Sequence, residues 1–231
     1  LLKERSSDII ARDISRSILQ GELKSGDSLQ AEREMAARYK VGRPTIREAL
    51  HRLESDGWIT SRKGMPATVN DYWKQGNLMT IVTILQHEDE IPDEFIVHML
   101  ELRISLTPAY FKDAMEHNRL KIISLFIPIE EGLDTPQWYA EFDWRIQQEV
   151  AMLSNNPIYF LILNSFKDIY LRMAEKYFQD PKHRAASREY YDILLKRLLD
   201  GDIKKAEHTV QDMMEKSLEL WKKKMNGGSD E

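Results

Sequence analysis

Apolar residues recur at helical spacing through most of the chain, and the exceptions are confined to one short stretch. Over residues 5–20, Ile9, Ile10, Ile14, Ile18 and Leu19 share a face, which predicts a helix. Gly21 supplies its stop, and Gly26 with Asp27 marks a loop. A short second helix is expected at about 30–39, with Glu32 and Glu34 in its first turn, where the helix dipole favours anions. Val41-Gly42 makes a turn. The third helix, 43–55, places Ile46, Ala49, Leu50 and Leu53 at i, i+3, i+4 and i+7 as its buried face. Pro44 is tolerated near its start, because first-turn N–H groups have no intrahelical partner. Asp56-Gly57 ends it. The pattern then switches. Trp58-Ile-Thr-Ser-Arg62 reads as a short strand, Lys63-Gly64 as the turn and Ala67-Thr-Val-Asn70 as the return strand. Three helices and a hairpin outline a winged helix-turn-helix.

From residue 79 onward the helical period runs almost unbroken. Helices are expected near 78–87, 93–115, 118–126, 134–153, 157–179, 184–200 and 203–225. Pro108 should kink or interrupt the second of these, since it lacks an N–H and clashes one turn back. Asn156-Pro157, Asp180-Pro181 and Gly201-Asp202 mark boundaries. The expected plan is mainly α. A winged head spans 1–70, a linker 71–77 and an all-α antiparallel helical bundle 78–225, and the tail 226–231 is disordered.

Composition narrows the class. The chain has 231 residues, 42% hydrophobic and 31% charged, as expected of a globular protein rich in amphipathic helices. No run approaches the length of a membrane span. The opening Leu1-Leu-Lys-Glu-Arg-Ser lacks the apolar core of a signal peptide. With no cysteine, disulfides, thiolate metal sites and thiol catalysis are excluded, and the cytoplasm is the expected compartment. Residues 1–70 carry 13 Lys and Arg against 10 Asp and Glu, whereas residues 71–231 carry 20 against 28. A basic head on an acidic body suggests that nucleic acid meets the head.

The start of the third helix carries the chemistry. Val41-Gly-Arg-Pro-Thr-Ile-Arg-Glu-Ala-Leu50 sets Arg43, Thr45 and Arg47 opposite the apolar stripe. In a helix-turn-helix the second helix of the motif enters the major groove, and its first residues meet base edges and phosphates. Arginine can take guanine O6 and N7 with both arms of its fork, and threonine can bond a phosphate or touch a thymine methyl. Arg62-Lys63-Gly64 at the wing tip offers two cations and a residue thin enough for a minor groove. A solvated charged helix with an ordinary hairpin is the plainer alternative.

The run Leu29-Gln-Ala-Glu-Arg-Glu-Met-Ala-Ala-Arg-Tyr-Lys-Val-Gly-Arg-Pro-Thr-Ile-Arg-Glu-Ala-Leu-His-Arg-Leu-Glu-Ser-Asp-Gly-Trp-Ile59 closely resembles the signature of the GntR family of bacterial transcription regulators. That resemblance implies DNA contacts at Arg33, Arg43, Thr45 and Arg47, with the wing at Lys63 and Gly64. An all-helical domain behind such a head resembles the FCD class. Many members of that class hold a divalent metal with one Asp and three His. Asp143 matches the Asp position, but the three His positions are Gln147, Tyr191 and Met213. His51, His87, His98, His117, His183 and His208 show no i, i+3 or i+4 pairing, so neither a metal nor any other cofactor is expected.

Loss of those ligands resembles the FadR group of fatty-acid-responsive regulators, whose effector domain binds long-chain acyl-CoA without metal. The stretches from Asp56 to Trp73 and from Asn156 to Tyr170, continuing to Tyr177-Phe178, look like that group, so the resemblance covers nearly the whole chain. It implies a homodimer on a palindromic double-stranded operator, with no membrane association. It also implies a ligand site at Arg103, Tyr177, Ser217 and Trp221, with Arg103 facing a CoA phosphate. Two departures stand out. Met214 replaces a glycine that lets the CoA moiety approach, and Lys216 replaces a carboxylate. Gly42 and Pro44 replace threonines of the recognition helix.

Trp138, Tyr139, Phe142, Trp144, Phe160, Phe166, Tyr170, Tyr177 and Phe178 concentrate on the central helices. That density suits an internal cavity for a long apolar ligand and equally a plain core. The alternative effector is a small organic or sugar acid. No Ser-His-Asp order, phosphate-cradling glycine loop or paired catalytic acids supports an enzyme.

Overall fold

The computed structural model describes residues 5–87, 91–129 and 133–227. They form two packing units, divided between Asp89 and Glu90. No helix among the described residues is long and apolar enough to cross a membrane.

The first unit contains α1 (Ser6–Leu19), α2 (Glu32–Tyr39) and α3 (Arg43–Ser55), then β1 (Ile59–Thr60) and β2 (Thr68–Val69). The strands pair antiparallel with Ile59 opposite Val69, and Ser28 bridges to Thr68 on the outer edge. Ile46, Ala49, Leu50 and Leu53 are the buried residues of α3, and they meet Ile10, Ile14 and Trp58 in one core. Gly57 has φ +81°, and a Cβ there would lie 2.6 Å from the Gln75 carbonyl oxygen, so turn and close approach both require glycine.

That close approach shows where the expected linker goes. Residues Tyr72–Gln75 form α4, and Leu78–Gln86 form α5. Tyr72 packs on Trp58 with ring centres 5.1 Å apart. Asn77 caps α5 and donates from Nδ2 to the Ser55 carbonyl at 2.8 Å. Ser15 Oγ lies 2.7 Å from His87 Nε2 beyond the end of α5. The packing divide therefore falls later than the expected start of the helical domain at 78. Sequence periodicity marked α5 as a helix but could not say which core it joins.

Among its described residues the second unit is entirely helical apart from its turns. It runs through α6 (Asp93–Leu125), a 3-10 turn (Ile127–Ile129), α7 (Pro136–Leu153), α8 (Pro157–Ser165), α9 (Lys167–Phe178), α10 (Pro181–Asp200) and α11 (Ile203–Met225). α6 packs along α11, α7 against α9 and α10 against α11. Local caps set the starts: Thr135, Asn156, Asp180 and Asp202 side chains accept from the first turns of α7, α8, α10 and α11.

Two expectations are corrected. The backbone stays helical through Pro108, and the non-helical residue of α6 is Asn118 (φ −131°, ψ 28°). Asn118 Nδ2 donates to the Leu153 carbonyl at 2.8 Å, an interaction that rewards the break. Around Pro108, buried Thr107, Tyr110 and Phe111 hold the helix against its neighbours and outweigh the cost of the missing N–H. The single helix expected over 157–179 is two, divided at Phe166 (φ −110°, ψ 8°), whose ring is buried. In the tail, residues 228–231 lie outside the described residues.

Candidate functional site

On the first unit, α3 begins at Arg43 with Gly42 before it, and no side chain caps its first turn. Pro44 brings no N–H and the Thr45 N–H bonds the Gly42 carbonyl at 3.1 Å, which leaves the Arg43 N–H as the backbone donor open to an anion at this end. Arg33, Arg43, Arg47, Lys63 and Gly64 are exposed, and Thr45 is half-buried. Among the described residues Arg33 and Arg43 form no ion pair, whereas Arg47 Nε lies 2.9 Å from Glu32 Oε2 at the start of α2. Glu32, Arg47, His51 and Ser61 border one cleft of about 160 Å³, which brings α3 and the base of the wing onto a common face. Gly64 has φ +78° at the wing tip with open space around it, and Met65 beside it is 68% exposed. His51 borders this cleft one turn after Arg47, on the side away from the apolar stripe, and neither it nor Met65 was singled out from the sequence.

In the second unit a polar cluster lies inside the helices. Asp143 on α7 accepts from Arg103 Nη2 on α6 at 3.2 Å, from the Tyr191 hydroxyl on α10 at 3.0 Å and from Gln147 Nε2 at 3.3 Å. The Tyr170 hydroxyl on α9 donates to the same carboxylate, and the Tyr110 hydroxyl donates to Gln147 Oε1. The Arg103 side chain is 18% exposed and that of Asp143 6%. Burial opposes the charge of Arg103, but Tyr170, Asp143, Tyr110 and Tyr191 around it together hold its pKa above the ordinary value. Burial, followed by the Asp143 charge, pushes the Tyr191 and Tyr190 hydroxyls well up.

Three positions compared with a metal-holding pattern, Asp143, Gln147 and Tyr191, thus do converge, as a hydrogen-bond network built on a protein cation. Met213 lies elsewhere, on the wall of a cleft of about 500 Å³ between α10 and α11. No group of three or more His, Asp or Glu among the described residues could hold a metal ion.

The expected ligand residues gather beside this cluster. Arg103 and Tyr177 line one small cavity of about 30 Å³ with Ile96, Met99, Met173 and Phe178. Tyr177 stacks on His183 at 4.2 Å, with Trp221 at 6.0 Å. Trp221 Nε1 donates to the Asp93 carbonyl at 3.2 Å. Ser217 neighbours the Tyr177 hydroxyl but donates to the Met213 carbonyl at 2.8 Å, and Met214 is buried. Burial pushes the Tyr177 hydroxyl up to about 12. The central aromatics mostly pack on one another rather than enclose a void: Trp138 stacks on Phe142 at 4.8 Å and Trp144 packs on Tyr170 at 5.1 Å.

The buried His183 is expected to make this region acid-sensitive. Its Nδ1 donates to the Tyr177 carbonyl at 2.7 Å. Burial holds its pKa below the ordinary value, aided by Lys224 and opposed by the Tyr177 hydrogen bond and Asp180. The unfolded chain takes up this proton at about pH 6.5, so the His183 contribution is complete above that pH and declines as pH falls below it. Urea melts at about pH 7.5 and 5.5 should show wild type losing more stability on acidification than His183→Gln. Equal losses would assign the acid sensitivity to other groups.

Residues 6–69 match the family described as bacterial regulatory proteins, gntR family. Residues 70–227 match the family described as FadR C-terminal domain. A Shewanella pealeana protein named fatty acid metabolism regulator protein is 37% identical over 187 residues, covering 81% of this chain and 78% of that protein. A Haemophilus influenzae protein of the same name is 33% identical over 203 residues, covering 87% and 84%. Among solved structures, Lar, described as controlling the agr system of Listeria monocytogenes, gives a TM-score of 0.61 at 16% identity over 95% of this chain and 98% of that one. That last likeness speaks to the fold alone.

Proposed function

The chain belongs to the GntR family of bacterial transcription regulators and carries the FadR-type C-terminal domain, and from that premise we propose that it controls fatty-acid metabolism genes by sensing a long-chain acyl-CoA in its helical unit. Two copies grip the half-sites of a palindromic operator, matching protein two-fold symmetry to DNA symmetry. Arg43, Thr45 and Arg47 read the major groove, Arg33 holds the backbone, and Lys63 with Gly64 enters the minor groove. The effector reaches Arg103, Tyr177, Ser217 and Trp221, with Met214 limiting its path.

The observation that carries the effector half is the cavity joining Arg103 to Tyr177. At about 30 Å³ it has room for a water molecule and not for an acyl chain. A long chain must therefore displace packed side chains, and Met99 and Met173, unbranched and adaptable, are suited to move. A ligand that repacks the interior binds two states of the protein unequally, as any effector must to shift DNA affinity. A second reading, in which the effector is a compact organic or sugar acid, also exceeds the cavity but asks for less displacement of packed side chains.

Thermal unfolding with an acyl-CoA series and free CoA separates the two. Ligand at a hundredfold its Kd adds roughly 2.7 kcal/mol, a rise of roughly 5–10 °C in Tm for a chain of this size. A rise that depends on acyl length supports the acyl sensor. No rise with any acyl-CoA, together with a rise from a small acid, would replace it with the second reading.

A further inference from the structure

The wing ends in a side chain that a purely cationic finger does not need. Met65 follows the tip glycine and is 68% exposed. Its backbone is nonetheless fixed. The Met65 N–H donates to the Arg62 carbonyl at 3.1 Å, which closes a four-residue turn with Gly64 (φ +78°) at its third position. Pro66 comes next, and a proline restricts the residue before it to extended backbone. The arms below the tip are braced as well. The Ser61 N–H donates to Glu54 Oε1 of α3 at 2.7 Å, and the Ala67 carbonyl accepts from the Leu29 N–H at 2.8 Å. Met65 is therefore held out on a stiff hairpin, away from the core of the head.

Its neighbours indicate what it meets. Arg62 and Lys63 are exposed beside it, and the three border a cleft of about 450 Å³ with Glu32 and Leu50. Glu32 and Leu50 also border the cleft of Arg47 and His51, so the tip lies on the face that carries α3. Cations there draw in the phosphate backbone and press the tip against the groove. A methionine delivered between phosphates has no N–H or O–H to offer a base edge. Its flexible apolar chain can instead slide between two base pairs and part them, as apolar wedges do in minor grooves. Parting costs least at the pyrimidine–purine steps TA and CA/TG, which are easily unstacked.

We propose that Met65 is a minor-groove wedge that bends the operator and selects a pyrimidine–purine step beneath each wing, which makes it a specificity-determining residue read through DNA deformability. This rests on the reading that the wing meets the minor groove.

The test uses full-length wild type, Met65→Ala, Met65→Leu and Lys63→Ala on an operator selected from random sequence and varied only at the steps flanking the major-groove half-sites. Fluorescence anisotropy gives affinity, and energy transfer between labelled duplex ends gives the bend. Wild type should favour a TA or CA/TG step over a stiff A-tract by about five- to tenfold and should bend the favoured duplex by about 20° or more. Met65→Ala should lose most of the preference and of the bend while binding the stiff duplex as wild type does. Met65→Leu, still an apolar wedge, should keep both. Equal preference and equal bend in wild type and Met65→Ala would overturn the inference, and so would a straight operator under wild type. Lys63→Ala should weaken every duplex alike and lower the salt slope by about one. If it changes neither, the wing is not at the DNA and the reading beneath the inference fails, a result distinct from that of the Met65 variants.

Discussion

Asp143→Ala is expected to destabilise the helical unit by about 3–5 kcal/mol, the usual cost of removing one partner of a buried ion pair. The substitution leaves the Arg103 guanidinium without its counter-charge and strands the donors of Tyr170, Tyr191 and Gln147. These residues come from α6, α7, α9 and α10, so the loss is felt by four helices at once. Asp143→Asn, which keeps one acceptor oxygen and the side-chain volume, should cost less. Guanidinium melts followed by far-UV circular dichroism check the loss. A loss under about 1 kcal/mol in Asp143→Ala would mean that water replaces the carboxylate and that the cluster is not a keystone.

The largest effect on DNA is expected from Arg43→Ala, which should weaken operator binding by about 1–3 kcal/mol, the range of one good base contact. Arg43 forms no ion pair among the described residues and sits at the open end of α3, so it can meet DNA without giving up a partner. Arg47 must first leave Glu32, and Arg47→Ala should cost less for that reason. Glu32→Gln should accordingly tighten binding several-fold by releasing Arg47, since an exposed pair is worth roughly 0–1 kcal/mol. Fluorescence anisotropy on a duplex selected from random sequence, at two salt concentrations, checks all three. Equal affinity for wild type and Arg43→Ala would remove Arg43 from the interface. A weaker Glu32→Gln would show that the pair positions Arg47 rather than competing for it.

Much of the architecture is legible in local patterns. The apolar stripe of α3, the Asp56-Gly57 stop, the wing turn at Gly64 and the Asn-Pro and Asp-Pro helix starts all appear in the structure close to where the residues place them. Each depends on residues within a few positions of one another, where period, caps and φ preference act directly. The break at Asn118 falls beside the boundary that the period placed between 115 and 118, whereas the break at Phe166 was not legible, because it depends on how deeply that ring is buried among residues from elsewhere in the chain.

The candidate effector site divides along the same line. Resemblance in sequence brought Arg103, Tyr177, Met214, Ser217 and Trp221 into view, and the convergence of Asp143, Gln147 and Tyr191 could be suspected from their matched positions. It did not indicate that Arg103 is the cation that closes the cluster. Arg103 and Asp143 are 40 residues apart, and Asp143 and Tyr191 are 48 apart. By itself the sequence determined a winged head, a helical unit behind it and the family to which both belong, because those follow from periods and motifs along the chain. Tertiary structure alone decided that α4 and α5 pack with the head and that the interior charge is balanced. How one helix turns against another is set by packing between faces, and no spacing along a single helix records it.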